Sequence, residues 1–330
     1  MNPIFHSVLE RFPALEVVVW GDFVADEFIG GDISRVSREA PVLILKRRER
    51  SIVPGGAANA AANLSALGVR VHLVGAIGDD DAGHRLIEAF ERYGMSTSGL
   101  LRVPGRITPT KTRILAGHTH TARQQVVRID HEPELLEAAH QAELRRTALA
   151  LAGRHSAMLI SDYGYGSVTP DGSREVSGQL APGSIVTVDA RYQIGAYSGL
   201  TAATPNEPEL EAALGIEIGN DLNRLEQAGR RLLERLECRQ LLVTRGKDGM
   251  ALFEPDRPTR HIPVHGSDQA LDVTGAGDTV IAVFTAALAA GADGLTAARL
   301  ANCAGGIVVM KRGTATVPLE ELRAAAERIS

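Results

Sequence analysis

A chain of 330 residues, 44% of them hydrophobic, can bury a substantial core as one large α/β domain or two smaller ones. A net charge of −5 and a pI near 6.1 exclude a broad nucleic-acid surface. No apolar run reaches membrane-spanning length, Val280 to Ala290 being too short and closed by Gly291.

Met1 to Leu15 carries charges, Pro3 and Pro13, and lacks the apolar core of a signal peptide. Val17 to Trp20 reads as a strand closed by Gly21-Asp22. Phe28 to Ile33 and Val42 to Leu45, separated by a Ser- and Arg-rich stretch, read as strands of a different kind. Gly55-Gly-Ala-Ala-Asn59 opens a small-residue helix that Gly68 ends. Val71 to Ile77 is a strand, and the helix after it closes near Gly94. Lys111 to Ala116 and Gln124 to Ile129 alternate as a half-exposed sheet does. From about residue 134 strands and helices alternate: helix Glu134 to Ala152, strands Ala157 to Ser161, Ile185 to Asp189 and Thr201 to Pro205, then helix Leu222 to Leu236. Strands Leu241 to Thr244 and Met250 to Phe253 follow, and two final helices start near Gly277 and Leu295. This rhythm implies an α/β fold, a doubly wound, mainly parallel sheet with helices on both faces. The pieces at roughly 28–50 and 108–130 do not fit it and read as a small β-sheet lid. With no linker or repeat, residues 1–330 are expected to form a single domain. Cys238, in a helix-like charged segment, and Cys303, in an Ala/Gly-rich helix, have no metal-ligand spacing and read as buried thiols of a reducing compartment. The expectation is a soluble cytoplasmic protein with no membrane or nucleic-acid partner.

The chemistry concentrates at Asp272-Val-Thr-Gly-Ala-Gly-Asp278, just before the apolar run Val280 to Ala290. Gly275, Ala276 and Gly277 would let bare N–H groups converge at a helix start, an anion hole suited to a phosphoryl group. Asp278 at its rim could take a proton from an attacking hydroxyl, and an Asp there should have a low pKa. The alternative is a simple helix cap. Other candidate residues sit at the ends of predicted strands, where doubly wound sheets bind ligands: Asp22, Asp26, Asp162, Asp189, Asn206, Glu209, Thr244, Arg245 and Gly246. Each alone also reads as a turn or cap residue. Gly55 and Gly56 suit a hinge or close ligand approach, or only a tight turn.

With Gly55-Gly-Ala-Ala-Asn59, Thr204-Pro-Asn-Glu-Pro-Glu209 and Asp272-Val-Thr-Gly-Ala-Gly-Asp278 in this order, the chain resembles the ribokinase-like (PfkB) sugar kinases from about residue 17 to residue 318. The resemblance implies ATP-dependent phosphorylation of a sugar hydroxyl by an α/β body with a β lid. It makes Asp278 the catalytic base, and Gly275, Ala276 and Gly277 the anion hole. Asn206 and Glu209 would order Mg2+ through its waters. Thr244, Gly246 and Asn302 would contact the nucleotide. Asp26 and Asn59 would contact substrate hydroxyls, and Gly55 and Gly56 would form the lid hinge. Asp272, Thr274 and Gly313 resemble the monovalent-cation (K+) loop that some members use.

Within the family the likeness is strongest to the D-glycero-beta-D-manno-heptose 7-phosphate kinases of ADP-heptose synthesis, which act on the anomeric hydroxyl. Ser34-Arg-Val-Ser-Arg-Glu-Ala-Pro-Val42, Thr110-Lys-Thr-Arg113, Val127-Arg-Ile-Asp130, Leu159-Ile-Ser-Asp-Tyr163 and Lys311-Arg312-Gly313-Thr314 carry it. A phosphorylated sugar would need fixed positive charge, which Arg35, Arg38, Lys111 and Arg113 would supply; the alternative is solvated lid charges. Asp189-Ala-Arg191-Tyr192 departs from an expected Asp-Pro-Lys. Val24 replaces a polar substrate contact, for which Asp22 would substitute, and with the sequence ending at Ser330 no fused nucleotidyltransferase is expected. Competing readings are a kinase of a free pentose or hexose or of a ketose phosphate, a dinucleotide-dependent oxidoreductase, and a non-catalytic sensor. The turn Gly21-Asp-Phe-Val-Ala-Asp26 lacks the glycine pattern of the oxidoreductase, and a sensor has no need of Asp278. Apolar lid residues Ile29, Ile33, Val42 and Ile44 leave a face for a second copy to cover, so a homodimer through the lid is expected.

Overall fold

The computed structural model describes residues 3–117, 123–155, 157–266 and 270–328. In chain order the elements are α1 (Pro3–Arg11), β1 (Glu16–Gly21), β2 (Phe23–Val36), β3 (Leu43–Gly56), α2 (Ala57–Ala66), β4 (Arg70–Gly78), α3 (Asp81–Arg92), β5 (Ser96–Val103), β6 (Thr110–Gly117) and β7 (Gln124–His131). Then come α4 (Ala138–Ala152), β8 (Ala157–Asp162), α5 (Pro170–Ser177), β9 (Ile185–Ala190), β10 (Ala202–Ala203), α6 (Glu207–Leu214), α7 (Leu222–Leu236), β11 (Gln240–Thr244), β12 (Met250–Phe253), β13 (Arg260–Ile262), α8 (Ala276–Ala289), α9 (Gly294–Val308) and α10 (Leu319–Ala326).

Nine strands form one sheet in the order β13-β12-β11-β10-β9-β8-β1-β4-β5, parallel from β11 to β5, with β12 and β13 antiparallel at the edge. The period-2 geometry of a strand divides its side chains between two cores. In β1, Val17 and Val19 pack into one cluster with α2, α8 and α9, while Val18 and Trp20 pack into the other with α4 and α7. Both faces being buried explains the unbroken apolar run. After β1 the chain builds outward through β4 and β5, then returns to β8 on the other side. The polar ends of β1 and β8 therefore lie together at a topological switch point, where such sheets bind ligands.

The second sheet, β3-β2-β6-β7, rises from that edge. Its hairpin is longer than the apolar runs suggest, β2 pairing with β3 from Phe23↔Gly56 to Val36↔Leu43. Cross-strand ion pairs such as Arg48–Asp32 and Arg50–Glu27 join the two strands beyond the apolar runs, while residues 37–42 of the Ser- and Arg-rich stretch form the tip between β2 and β3. Residues 118–122, within the expected lid segment, and the chain ends Met1 and Ser330 lie outside the described residues. Helices α1, α5 and α10 and strands β5 and β13 carry too little pattern to read in advance. Conversely, the strand expected at Thr201 to Pro205 shrinks to Ala202–Ala203. Cys238 lies beyond the end of α7, after Glu237 turns left-handed at φ 50°, rather than in a helix. Both thiols are free and buried, and burial pushes each up to about 12.

Candidate active site

Asp22, expected to contact substrate, holds the fold instead. It is 1% exposed and accepts the backbone N–H groups of Tyr163, Tyr165 and Ser167, each at 3.0 Å. A substrate hydroxyl would have to displace bonds that shape the turn after β8. Asp22→Asn removes one acceptor oxygen and sets an amide donor against an N–H. It should destabilise the protein by about 3 kcal/mol in chemical denaturation.

That turn delivers Tyr163 to the site. Asp278 lies in the first turn of α8 and is 4% exposed. Tyr163 Oη donates to its Oδ1 at 2.9 Å, and Asn59 Nδ2 donates to its Oδ2 at 2.9 Å. Burial keeps the Tyr163 proton in place, since it raises that phenol well above its usual value and the charges of Asp278 and Asp189 add to the shift. Asn59 also donates to the Gly275 carbonyl and accepts from Asn63 through Oδ1. Both amide hydrogens of Asn59 are thus engaged, one of them in orienting Asp278, while Oδ1 keeps a second lone pair.

The low pKa expected of Asp278 is overturned. Burial drives it up to about 6, and the nearby charge of Asp26 adds to this. The hydrogen bonds from Asn59 and Tyr163 and the Lys111 charge oppose the rise without cancelling it. Desolvation thus outweighs the helix start, and the carboxylate becomes a stronger proton acceptor.

Gly275 caps α8 in the left-handed region at φ 76°, and the first-turn N–H groups that follow have no intrahelical acceptor. Ala276 spends its N–H on the Val273 carbonyl at 3.2 Å, so of the three residues of the expected anion hole Gly275 supplies the turn and Gly277 the open approach. A Cβ at Gly277 would meet only Asp189 Oδ2, at 4.0 Å.

Asn206 and Glu209 form a reciprocal cap at the start of α6, Asn206 Oδ1 accepting from Glu209 N at 2.8 Å and Glu209 Oε2 from Asn206 N at 3.0 Å. Asp189, near the end of β9, has surroundings that the sequence reading did not disclose. Burial raises its carboxyl well above the usual range, and the charges of Glu209 and Asp278 push it further against Arg191. Glu209 is raised too, chiefly by burial. Crowded half-buried carboxylates with one opposing arginine fit a hard divalent cation. Thr244, Gly246 and Asn302 line a cavity of about 310 Å³ with Val264, Ala276, Gly277 and Val280. It is mostly apolar and opens beside the start of α8, a shape for a planar base. Asn302 donates to the Pro263 carbonyl at 2.8 Å, leaving its amide oxygen for other bonds.

On the four-stranded sheet, Asp26 pairs with Arg113 and accepts from Thr314 Oγ1 at 2.7 Å. Gly55 lies against its carboxylate, and Gly56 joins β3 to α2 at φ 56°. Lys111 reaches back over the Tyr163 ring, 4.8 Å from its centre. Arg35 and Arg38 are not brought to the site. They sit exposed at the hairpin tip, and nine residues of strand at about 3.3 Å each put Arg35 roughly 30 Å from Asp26. Asp272 accepts from Thr274 N at 3.0 Å and Gly313 N at 2.8 Å, which ties the expected cation loop together. Burial alone would raise its carboxyl, but these bonds and Arg113 hold it below the usual value.

The model of the pfkB family carbohydrate kinases matches residues 15–154 and 189–322. The chain is 40% identical over 324 residues to the bifunctional protein HldE of Pelobacter propionicus, covering 97% of this chain and 65% of that protein. It is 42% identical over 323 residues to HldE of Desulfatibacillum aliphaticivorans, covering 95% and 63%. The chain thus spans about two thirds of the length of these relatives. Its fold is similar to that of Arabidopsis thaliana ribokinase complexed with ribose and ATP (TM-score 0.71, 20% identity, 96% of this chain and 99% of that one). It is also similar to Escherichia coli phosphofructokinase-2 in complex with potassium (TM-score 0.76, 15% identity, 95% and 98%). With the family model matched over most of its length on a ribokinase-like fold, the chain belongs to the pfkB family of carbohydrate kinases.

Proposed function

We propose that this sugar kinase moves the γ-phosphoryl group of ATP to the anomeric hydroxyl of D-glycero-beta-D-manno-heptose 7-phosphate, with Asp278 as the base. The observation that carries the mechanism is a buried carboxylate near pH 6 in affinity for its proton, fixed by Asn59 and Tyr163 at an open glycine turn. Phosphoryl transfer asks the protein for positioning and charge stabilisation, and each part has a residue for it. The apolar cavity at Thr244, Gly246 and Asn302 takes the adenine, and the N–H groups beginning α8 receive the phosphates. Asp189 and Glu209, with Asn206, hold Mg2+ or its waters; when bound, that ion neutralises charge on the phosphates. Asp189→Asn should raise the Mg2+ concentration for half-maximal activity about tenfold. Asp278 orients the sugar hydroxyl and takes its proton as the new P–O bond forms. Asp272, Thr274 and Gly313 are the place for a K+ requirement to be sought.

The phosphorylated acceptor is supported by the sequence motifs shared with heptose 7-phosphate kinases, by relatives named HldE, and by a cleft of about 1010 Å³ under the four-stranded sheet. Arg113, Arg123 and Arg312 line it, and Arg312 makes no ion pair among the described residues. We assign the far phosphate to this cleft, Lys111 to the reacting end beside Tyr163, and no substrate role to Arg35 or Arg38. The exposed apolar residues Val36, Val42 and Leu43 at the hairpin tip and Val126, Val127 and Ile129 on β7 suit pairing with a second copy. Sedimentation as a monomer at high micromolar concentration would remove the dimer. No helix among the described residues is long and apolar enough to cross a membrane, in keeping with a cytoplasmic setting. ADP release across sugars with and without a terminal phosphate tests the substrate: turnover confined to the heptose 7-phosphate is expected. Preference for a free pentose or hexose, or for a ketose phosphate, would replace this acceptor with another of the family's class.

A further inference from the structure

At the opposite ends of the central strands, away from Asp278, three side chains converge that the kinase chemistry does not use. Glu16 opens β1, His72 lies on the neighbouring β4, and His155 precedes β8. Parallel pairing of β1 with both neighbours brings all three to the N-terminal ends of the central strands. Six residues of β1 at about 3.3 Å each place them roughly 20 Å from the catalytic end.

Glu16 Oε2 is 3.3 Å from His72 Nε2 and 3.0 Å from His155 Nδ1. The three ligand atoms lie within 4.8 Å of one another. The imidazoles stack at 4.2 Å between centroids and 19° between planes, so one ring would have to turn for both in-plane nitrogen lone pairs to meet a single ion. A tetrahedral metal with bonds of about 2.1 Å spaces its ligand atoms about 3.4 Å apart, close to both Glu16–histidine separations. Glu16 Oε1 is held by Arg70 Nη1 at 2.8 Å, fixing the carboxylate with Oε2 facing the rings, the usual role of a partner behind a metal ligand. The side chains keep 13 to 28% of their exposure, leaving a fourth position open to solvent. Arg70 and Arg154 add positive charge nearby, which weakens the site for any dication without changing its ligands.

We propose that Glu16, His72 and His155 bind a borderline divalent transition metal, Zn2+ fitting best, in a site separate from the kinase centre. Two imidazole nitrogens and one carboxylate select such ions over Mg2+ or Ca2+, which prefer all-oxygen shells. By joining β1, β4 and the approach to β8, the ion would clamp the middle of the sheet.

The test is titration of the chelator-stripped full chain with Zn2+, followed by calorimetry and thermal unfolding, and with Co2+, followed by its visible absorption. One equivalent should bind, with an intense tetrahedral Co2+ band. The unfolding midpoint should rise by roughly 4 °C at a hundredfold excess over the dissociation constant. His72→Gln and His155→Gln should each weaken binding at least about tenfold and abolish the band, with the metal-free midpoint as the control for folding. Exchanging His118 and His120, which lie outside the described residues, should change nothing. Absence of saturable binding below millimolar metal would overturn the site, as would binding that survives the His72 and His155 variants or is lost with His118 and His120. If either glutamine variant fails to fold, Zn2+-induced shifts of the His72 and His155 imidazole resonances in the unaltered protein decide the matter.

Discussion

Asp278→Asn is expected to lower turnover by about a hundredfold to ten-thousandfold while ATP affinity changes little. The carboxylate is the one group at the start of α8 that combines burial, two fixed donors and an affinity for protons near pH 6. The amide keeps the shape and cannot take a proton. The same change should stabilise the substrate-free protein at neutral pH. With a folded pKa of about 6 against an ordinary value of 3.8, the native state binds the proton more tightly than the unfolded chain. Stability therefore falls as pH rises from about 4 to 6, and the full penalty of keeping the charge buried stands above pH 6. Two pKa units correspond to about 3 kcal/mol. Imperfect replacement of the bonds from Asn59 and Tyr163 offsets part of that, so a net gain of about 1 kcal/mol is expected above pH 6, vanishing below pH 4. Denaturation at pH 7.5 and at pH 4 would measure it; a variant less stable than the parent at pH 7.5 would contradict the buried-charge account.

Gly275→Ala carries the second large effect. At φ 76° a side chain strains the backbone, and the added Cβ would fall 2.4 Å from Asn59 Nδ2 and 3.2 Å from Thr314 Cγ2. Asn59 sits inside α2 and cannot retreat without releasing its bond to Asp278. Turnover should drop about a hundredfold, and stability should fall by roughly 2 kcal/mol. Gly277→Ala is the contrast. Its Cβ meets nothing closer than Asp189 Oδ2 at 4.0 Å, so stability should hold to within about 0.5 kcal/mol while the methyl obstructs the phosphates and raises KM for ATP. Equal stability losses at both positions would refute the distinction between the turn and the approach.

What the sequence discloses follows from how local each feature is. The turn at Gly275 and the cap at Asn206 and Glu209 are made by neighbours in the chain, so both were legible as motifs. The proton affinity of Asp278 was not, because it depends on burial under Asn59, 219 residues away, and Tyr163, 115 residues away. Local helix chemistry pointed to a low pKa, and tertiary desolvation reversed it. Asp22 misled for the complementary reason. An aspartate after a strand reads equally well as a ligand contact or as an acceptor for a turn, and only the three N–H groups around it decide. Arg35 and Arg38 read as phosphate contacts because a phosphorylated sugar needs fixed positive charge and both lie beside predicted lid strands. The hairpin pairs as far as Val36↔Leu43, and that length carries both arginines to its tip. Asp189 was visible as a polar strand end, but its partners Glu209 and Asp278 come from separate crossovers that no spacing reveals.

The central claim is that Asp278 takes the proton of the acceptor hydroxyl, and single-turnover phosphoryl transfer at saturating ATP, Mg2+ and sugar from pH 4.5 to 8 tests it most directly. The unaltered protein should lose activity about tenfold per unit below pH 6, as the carboxylate with its pKa of about 6 protonates. The small residual rate of Asp278→Asn should be flat over that range. A parent rate that stays level to pH 4.5, or an acid limb of equal position in the variant, would contradict the assignment of Asp278 as the base.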